Sequence, residues 1–154
     1  MSDTWAGRLE ERLNNLRSQD RLREARVVTS LAQGRCEIDG RSLINFGAND
    51  YLNLAFESHD APSTTQLGST ASALVTGRSP LHNKLERKLA LFEGTDAALL
   101  FPTGFAANLG TLNSLVEAND AVFCDRENHA SLIDAARHCD GQFQVFQGLS
   151  LIHI

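Results

Sequence analysis

Thr103, Gly104 and Phe105 stand where an apolar stretch gives way to a helical pattern, in the segment FPTGFAANLGTLNSL that runs from 101 to 115. A glycine at a strand-to-helix junction lets the main chain come close to a ligand. The free amide N–H groups of a helix start, aided by the macrodipole, suit a phosphate. The other reading is a turn that needs glycine for its own geometry, and spacing alone leaves both open. His129 is the second candidate, in CDRENHASLID, after the apolar run AVFC and just ahead of another helical pattern. An imidazole there can stack on a planar ligand or exchange a proton; it can equally be a solvated loop residue. Asp125, Glu127 and Asp134 lie close by in sequence, but no spacing forces them into a metal site or a triad. They read as solvated charges or caps, and His82, beside Leu81, reads as structural.

For both candidates to serve one ligand, the elements between them must bring them to one sheet edge. DAALLF reads as a short buried strand. A helix over about 105–116 follows, burying Leu109, Leu112 and Leu115, then AVFC, a helix through Leu132, Ile133 and Ala136, and FQVF. That alternation is β-α-β-α-β, and continuous apolar strands of this kind suit a parallel sheet covered by helices. Ligands of such sheets bind beyond the carboxyl ends of the strands. Upstream, Ser79 as N-cap, Pro80 at the first helical position, the stripe Leu81, Leu85, Leu89 and Phe92, and Gly94 mark a helix with both ends signed. Trp5, Leu9, Leu13, Leu16 and Leu22 predict an amphipathic helix over 3–26. RCEID and RSLINF around Asp39-Gly40 predict a β-hairpin. Residues 57–78, rich in Ser, Thr, Gly and Ala, fit a long loop or a weakly signalled helix.

A length of 154 residues with 42% hydrophobic residues fits one soluble domain. A net charge of -5 with no basic block argues against nucleic acid as a partner. No apolar run approaches the roughly 20 residues that cross a bilayer, and the start has no signal-peptide pattern, so a cytoplasmic protein without a membrane partner is expected. Cys36, Cys124 and Cys139 lack the pairing of zinc ligands. They read as reduced, buried thiols, and no metal is expected.

The blocks NFGANDYLNLA, LVTGRSPLHNKLERKLALFEGTDAALLFPTGFAANLGTL and VFCDRENHASLIDAAR closely resemble the N-terminal part of the α-oxoamine synthases, fold-type I enzymes dependent on pyridoxal phosphate. The resemblance runs from roughly residue 5 to 146. It implies an α/β fold: an N-terminal helix and short hairpin over 1–60, then over 61–146 the incomplete start of a large domain with a mostly parallel sheet and helices on both faces. The tail 147–154, QGLSLIHI, does not match and is expected to be foreign to the family pattern.

The family condenses an amino acid with an acyl thioester and releases carbon dioxide. The blocks are most similar to the branch that joins L-alanine to a pimeloyl thioester, on coenzyme A or acyl carrier protein, in biotin biosynthesis. Glycine-using members are the near alternative, and a non-catalytic fragment is the other. By position, Gly104 and Phe105 match the pair whose backbone holds the cofactor phosphate. His129 matches the histidine that stacks on the pyridine ring and borders the substrate. Arg23 matches an arginine that receives a substrate carboxylate, and Asn49 an asparagine near the active site of the dimer. A homodimer is therefore implied for the full-length protein. The family's cofactor-bonding lysine lies downstream of residue 154, and Lys84 and Lys88, the only lysines, sit on a helix. No catalytic residue is thus assigned within this chain, which is expected to be a truncated piece, inactive alone. One block departs from the family: GSTASALVTG places Thr70 and Ala71 where glycines are usual and Ala73 where an arginine is common.

Overall fold

The computed structural model describes residues 4–56 and 66–148, and the chain divides into two compact units, Met1–Ala98 and Leu99–Ile154. The tail 147–154, expected to be foreign to the family pattern, therefore lies largely outside the described residues, as does the first half of the 57–78 stretch.

In the first unit, α1 (Trp5–Ser18) starts at Thr4, whose hydroxyl accepts from the Gly7 N–H at 3.3 Å. It ends eight residues before the position 26 that its apolar spacing predicts. Asp20 adopts φ 51°, and the Arg21 and Asp20 N–H groups turn back to the carbonyls of Leu16 and Arg17, at 2.8 and 3.1 Å. Those two bonds satisfy two of the orphan carbonyls of the last turn and stop the helix. Leu22 therefore falls outside α1.

Beyond it, the buried Val28 donates its N–H to the Arg78 carbonyl at 2.8 Å, and a three-stranded antiparallel sheet follows: β1 (Thr29–Leu31), β2 (Arg35–Ile38) and β3 (Arg41–Ile44). The expected hairpin is β2–β3. Ile38 faces Arg41 across Asp39 and Gly40, both at positive φ, which is the twist that a two-residue hairpin requires. The strand β1 was not read from the sequence.

Residues 73–77 form a single π-helical turn, closed by the Gly77 N–H on the Ser72 carbonyl at 2.9 Å. Here glycine is obligatory, since a Cβ on Gly77 would lie 1.8 Å from the Ala71 carbonyl oxygen. In the same loop Thr70 is buried, and its hydroxyl has no hydrogen-bond partner among the described residues. A buried hydroxyl without a partner costs about 1–3 kcal/mol. Thr70→Val keeps the shape and removes that cost, so chemical denaturation should show a gain of about 1 kcal/mol; a loss would mean that the hydroxyl is satisfied.

The helix α2 (Pro80–Glu93) has the ends that its sequence signs: Pro80 in the first turn, and Gly94 at φ 67°. His82 is structural, its Nδ1 accepting the Ser79 N–H at 3.1 Å in a reciprocal cap. The inward face differs from the expected stripe. Leu81, Leu85 and Phe92 are exposed, whereas Glu86 and Ala90 are buried. Glu86 turns inward because Arg78 meets it there with two guanidinium N–H groups, and Asn83 takes a further bond from Arg78 at 2.6 Å.

The second unit contains α3 (Gly104–Leu115), β4 (Ala121–Asp125), α4 (Ala130–His138) and β5 (Gln142–Phe146). The strands β4 and β5 pair in parallel, Ala121 facing Gln142 and Asp125 facing Phe146, with α4 as the crossover between them. This is the β-α-β half of the expected alternation. Its core holds Cys124, Ala135, Ala136 and Cys139, and all three cysteines of the chain are free and buried.

DAALLF is a correction. Residues 97–101 are not in a strand, since among the described residues no neighbour forms a ladder with them. A strand exists through its pairing, and an apolar run supplies only half of that condition. Leu109, Leu112 and Leu115 are half-buried. Among the described residues no helix is long and apolar enough to cross a membrane, and no group of three or more His, Cys, Asp and Glu could hold a metal ion.

Candidate functional site

Thr103, in extended conformation at φ -149°, caps α3: its hydroxyl accepts the Ala106 N–H and its carbonyl the Ala107 N–H, both at 3.0 Å. That leaves the N–H groups of Gly104 and Phe105, which have no acceptor among the described residues. Both residues are exposed. Gly104 does not have a positive φ, and a Cβ built on it would meet no described atom within 4 Å beyond its chain neighbours and the backbone of α3. The turn does not need glycine for its own sake. Open space lies where a side chain would stand, beside two unpaired donors at the positive end of a helix.

Phe101 anchors this end. Its ring lies against Gly110, where a Cβ would come to 3.1 Å of the ring edge, so the absence of a side chain at 110 lets the aromatic ring seat on α3.

His129 is delivered by a turn that Asp125 organises. The Asp125 carboxylate accepts the Glu127 N–H at 2.9 Å and its carbonyl the Asn128 N–H at 3.1 Å, so Asp125 closes the turn that precedes the helix. His129 is itself the N-cap of α4. Its Nδ1 accepts the Ser131 N–H at 3.2 Å and lies 2.7 Å from the Ser131 hydroxyl. With Nδ1 engaged as an acceptor, the neutral ring carries its hydrogen on Nε2. The side chain is exposed.

The two candidate positions meet through their helices. α3 and α4 pack on one another, and Asn108, one turn into α3, donates its side-chain amide to the Ser131 hydroxyl at 2.8 Å. Ser131 is the second residue of α4 and only 1% exposed. The first turns of both helices therefore lie side by side, with Gly104 and Phe105 on one and His129 on the other.

Arg23 and Asn49 belong to the first unit. Arg23 is exposed in the stretch after α1. Asn49 is exposed and donates its N–H to the Thr70 carbonyl at 2.7 Å, beside a recess of about 330 Å³ bordered by Asp50, Leu54 and Ser69. Asn108 and Ser131 were missed from the sequence. A polar residue four positions after Gly104, on the same face of an otherwise apolar helix, was the available signal.

Comparison with known proteins places the chain in a family. A family model described as aminotransferase class I and II matches residues 41–150. A curated 8-amino-7-oxononanoate synthase of Herminiimonas arsenicoxydans is 44% identical over 135 residues, covering 84% of this chain and 35% of the relative. One of Chromobacterium violaceum is 42% identical over 152 residues, covering 92% of this chain and 39% of the relative. This chain thus spans less than two fifths of the length of these relatives. Among solved structures, Sphingomonas wittichii serine palmitoyltransferase matches with a TM-score of 0.50 and 25% identity, over 94% of this chain and 38% of the other. The fold class is the one expected, the α/β beginning of a fold-type I large domain.

Proposed function

Because the chain belongs to the aminotransferase class I and II family, we propose that the first turns of α3 and α4 form the pyridoxal-phosphate site of an enzyme that condenses L-alanine with a pimeloyl thioester to 8-amino-7-oxononanoate. One observation carries the reading: a glycine that its own backbone does not require stands with open space before it and two unpaired N–H groups beside it. Those donors suit a dianionic phosphate, and charge-assisted bonds of this kind contribute about 1.5–3 kcal/mol each. Thr103 keeps its own hydroxyl on Ala106 and so fixes the direction of the donors. The exposed His129 ring, pinned at Nδ1, presents a flat face to a planar heterocycle. Bound there, the cofactor would supply the electron sink that stabilises a substrate carbanion.

Arg23, with its exposed guanidinium, is assigned to a substrate carboxylate and Asn49 to the same substrate, in a homodimer of the whole protein. The chain's own two lysines, Lys84 and Lys88, are exposed on α2, and neither is assigned a catalytic role. The choice of alanine rests on the naming of the relatives. A chimera in which residues 1–146 replace the matching part of the Chromobacterium violaceum relative tests it. Turnover of L-alanine with a pimeloyl thioester is expected, and a folded chimera that binds the cofactor and uses only glycine would contradict the assignment.

A further inference from the structure

We infer that Asn108 and Ser131 form a directional hydrogen-bond relay that sets the tautomer and ring orientation of His129, so that both act as positioning residues for the face it presents. The inference rests on the site reading above for its purpose, but its chemistry stands on the three residues alone. Asn108 donates to the Ser131 hydroxyl at 2.8 Å, and an amide NH₂ has only hydrogens to give in that direction. The hydroxyl oxygen is thereby used as an acceptor, and its single hydrogen is left to point at His129 Nδ1, 2.7 Å away. The Ser131 N–H adds a second donor to the same nitrogen at 3.2 Å. Two donors converge on one lone pair, so a hydrogen on Nδ1 would face both of them. The ring is therefore held with Nε2–H outward, and its plane is fixed against the start of α4.

Burial makes the direction matter. Ser131 is 1% exposed, and bulk water cannot readily substitute for either partner. The relay also joins the helix that offers its N–H groups at 104 and 105 to the one that carries the ring, so a displacement of either helix start is felt at the other. The neighbouring polar groups on the turn are already engaged: the Asn128 side-chain amide donates to Cys124 Sγ at 3.3 Å, and Asp125 holds Glu127.

The test reverses the relay. In Asn108→Asp, a carboxylate accepts the Ser131 hydroxyl hydrogen, and the oxygen turns its lone pair toward His129. Long-range ¹⁵N–¹H correlation on the full chain labelled in histidine, with no cofactor added and at a pH where the ring is neutral, reads the tautomer directly. The wild-type chain is expected to show Nε2–H. Asn108→Asp is expected to raise the Nδ1–H to Nε2–H ratio by about tenfold, the equivalent of one hydrogen bond. In a Ser131→Ala background the same substitution should leave the ratio unchanged, because the link is gone; a charge acting through space would still move it. Nδ1–H in the wild-type chain, or an effect of Asn108→Asp that survives Ser131→Ala, overturns the relay. A wild-type Nδ1–H signal overturns the relay even if neither variant folds. The site reading is scored separately, by amide shifts at 104 and 105 on adding pyridoxal phosphate, so that either claim can fail alone.

Discussion

Glu86→Ala is expected to lower the stability of the Met1–Ala98 unit by about 3–5 kcal/mol, the loss typical of a buried ion pair deprived of one partner. The location sets that scale. The side chains of Arg78 and Glu86 are 14% and 9% exposed, and an exposed pair would contribute no more than about 1 kcal/mol. Arg78 spends two N–H groups on Glu86 and one bond on Asn83, so the alanine variant leaves a guanidinium enclosed with a single neutral acceptor. The Arg78 backbone also matters, since its carbonyl holds the Val28 N–H and ties the stretch before β1 to the loop before α2.

Thermal or urea unfolding followed by circular dichroism measures the effect. Replacing both members, as in Arg78→Met with Glu86→Leu, should recover most of the loss, because no charge remains to be desolvated. A single-variant loss below about 1 kcal/mol would show that the pair is solvated.

Gly104→Val is expected to weaken binding of pyridoxal phosphate by ten- to a hundredfold, roughly one or two charge-assisted hydrogen bonds, while stability stays within about 0.5 kcal/mol of the wild type. The two halves of that statement have one origin. Beyond its chain neighbours and the backbone of α3, no described atom lies within 4 Å of the site of a Cβ, so the branched side chain meets no clash with the rest of the described fold. It would stand instead in front of the Gly104 and Phe105 donors, where the phosphate is to sit. Fluorescence titration with the cofactor, beside a melt, separates the two quantities. Equal affinity in the variant would place the phosphate elsewhere, and a large loss of stability would mean that the turn itself needs glycine.

Local signals with a defined stereochemistry were legible in the sequence. Asp39-Gly40 gave the hairpin because two positive φ angles favour that pair, and Ser79, Pro80 and Gly94 bounded α2 because each meets a separate requirement of a helix end. The end of α1 was not legible, since Asp20 performs at φ 51° a role that glycine usually fills.

Features that depend on a distant partner were also hidden. Residues 97–101 have the composition of a strand but lack a ladder among the described residues. Glu86 is buried against the expected face of α2 because of an arginine outside the helix. At the candidate site, the positions of Gly104, Phe105 and His129 could be picked from residue type and context. The bridge through Asn108 and Ser131 could not, since it joins residues 23 apart in sequence through a packing contact.

The most direct test is a ¹⁵N-resolved titration of the full chain with pyridoxal phosphate. The amides of Gly104 and Phe105 should show the largest shifts, with the His129 ring signals moving at the same midpoint and inorganic phosphate moving the two amides alone. Saturable binding that leaves both amides in place, or no binding at millimolar cofactor, would contradict the assignment.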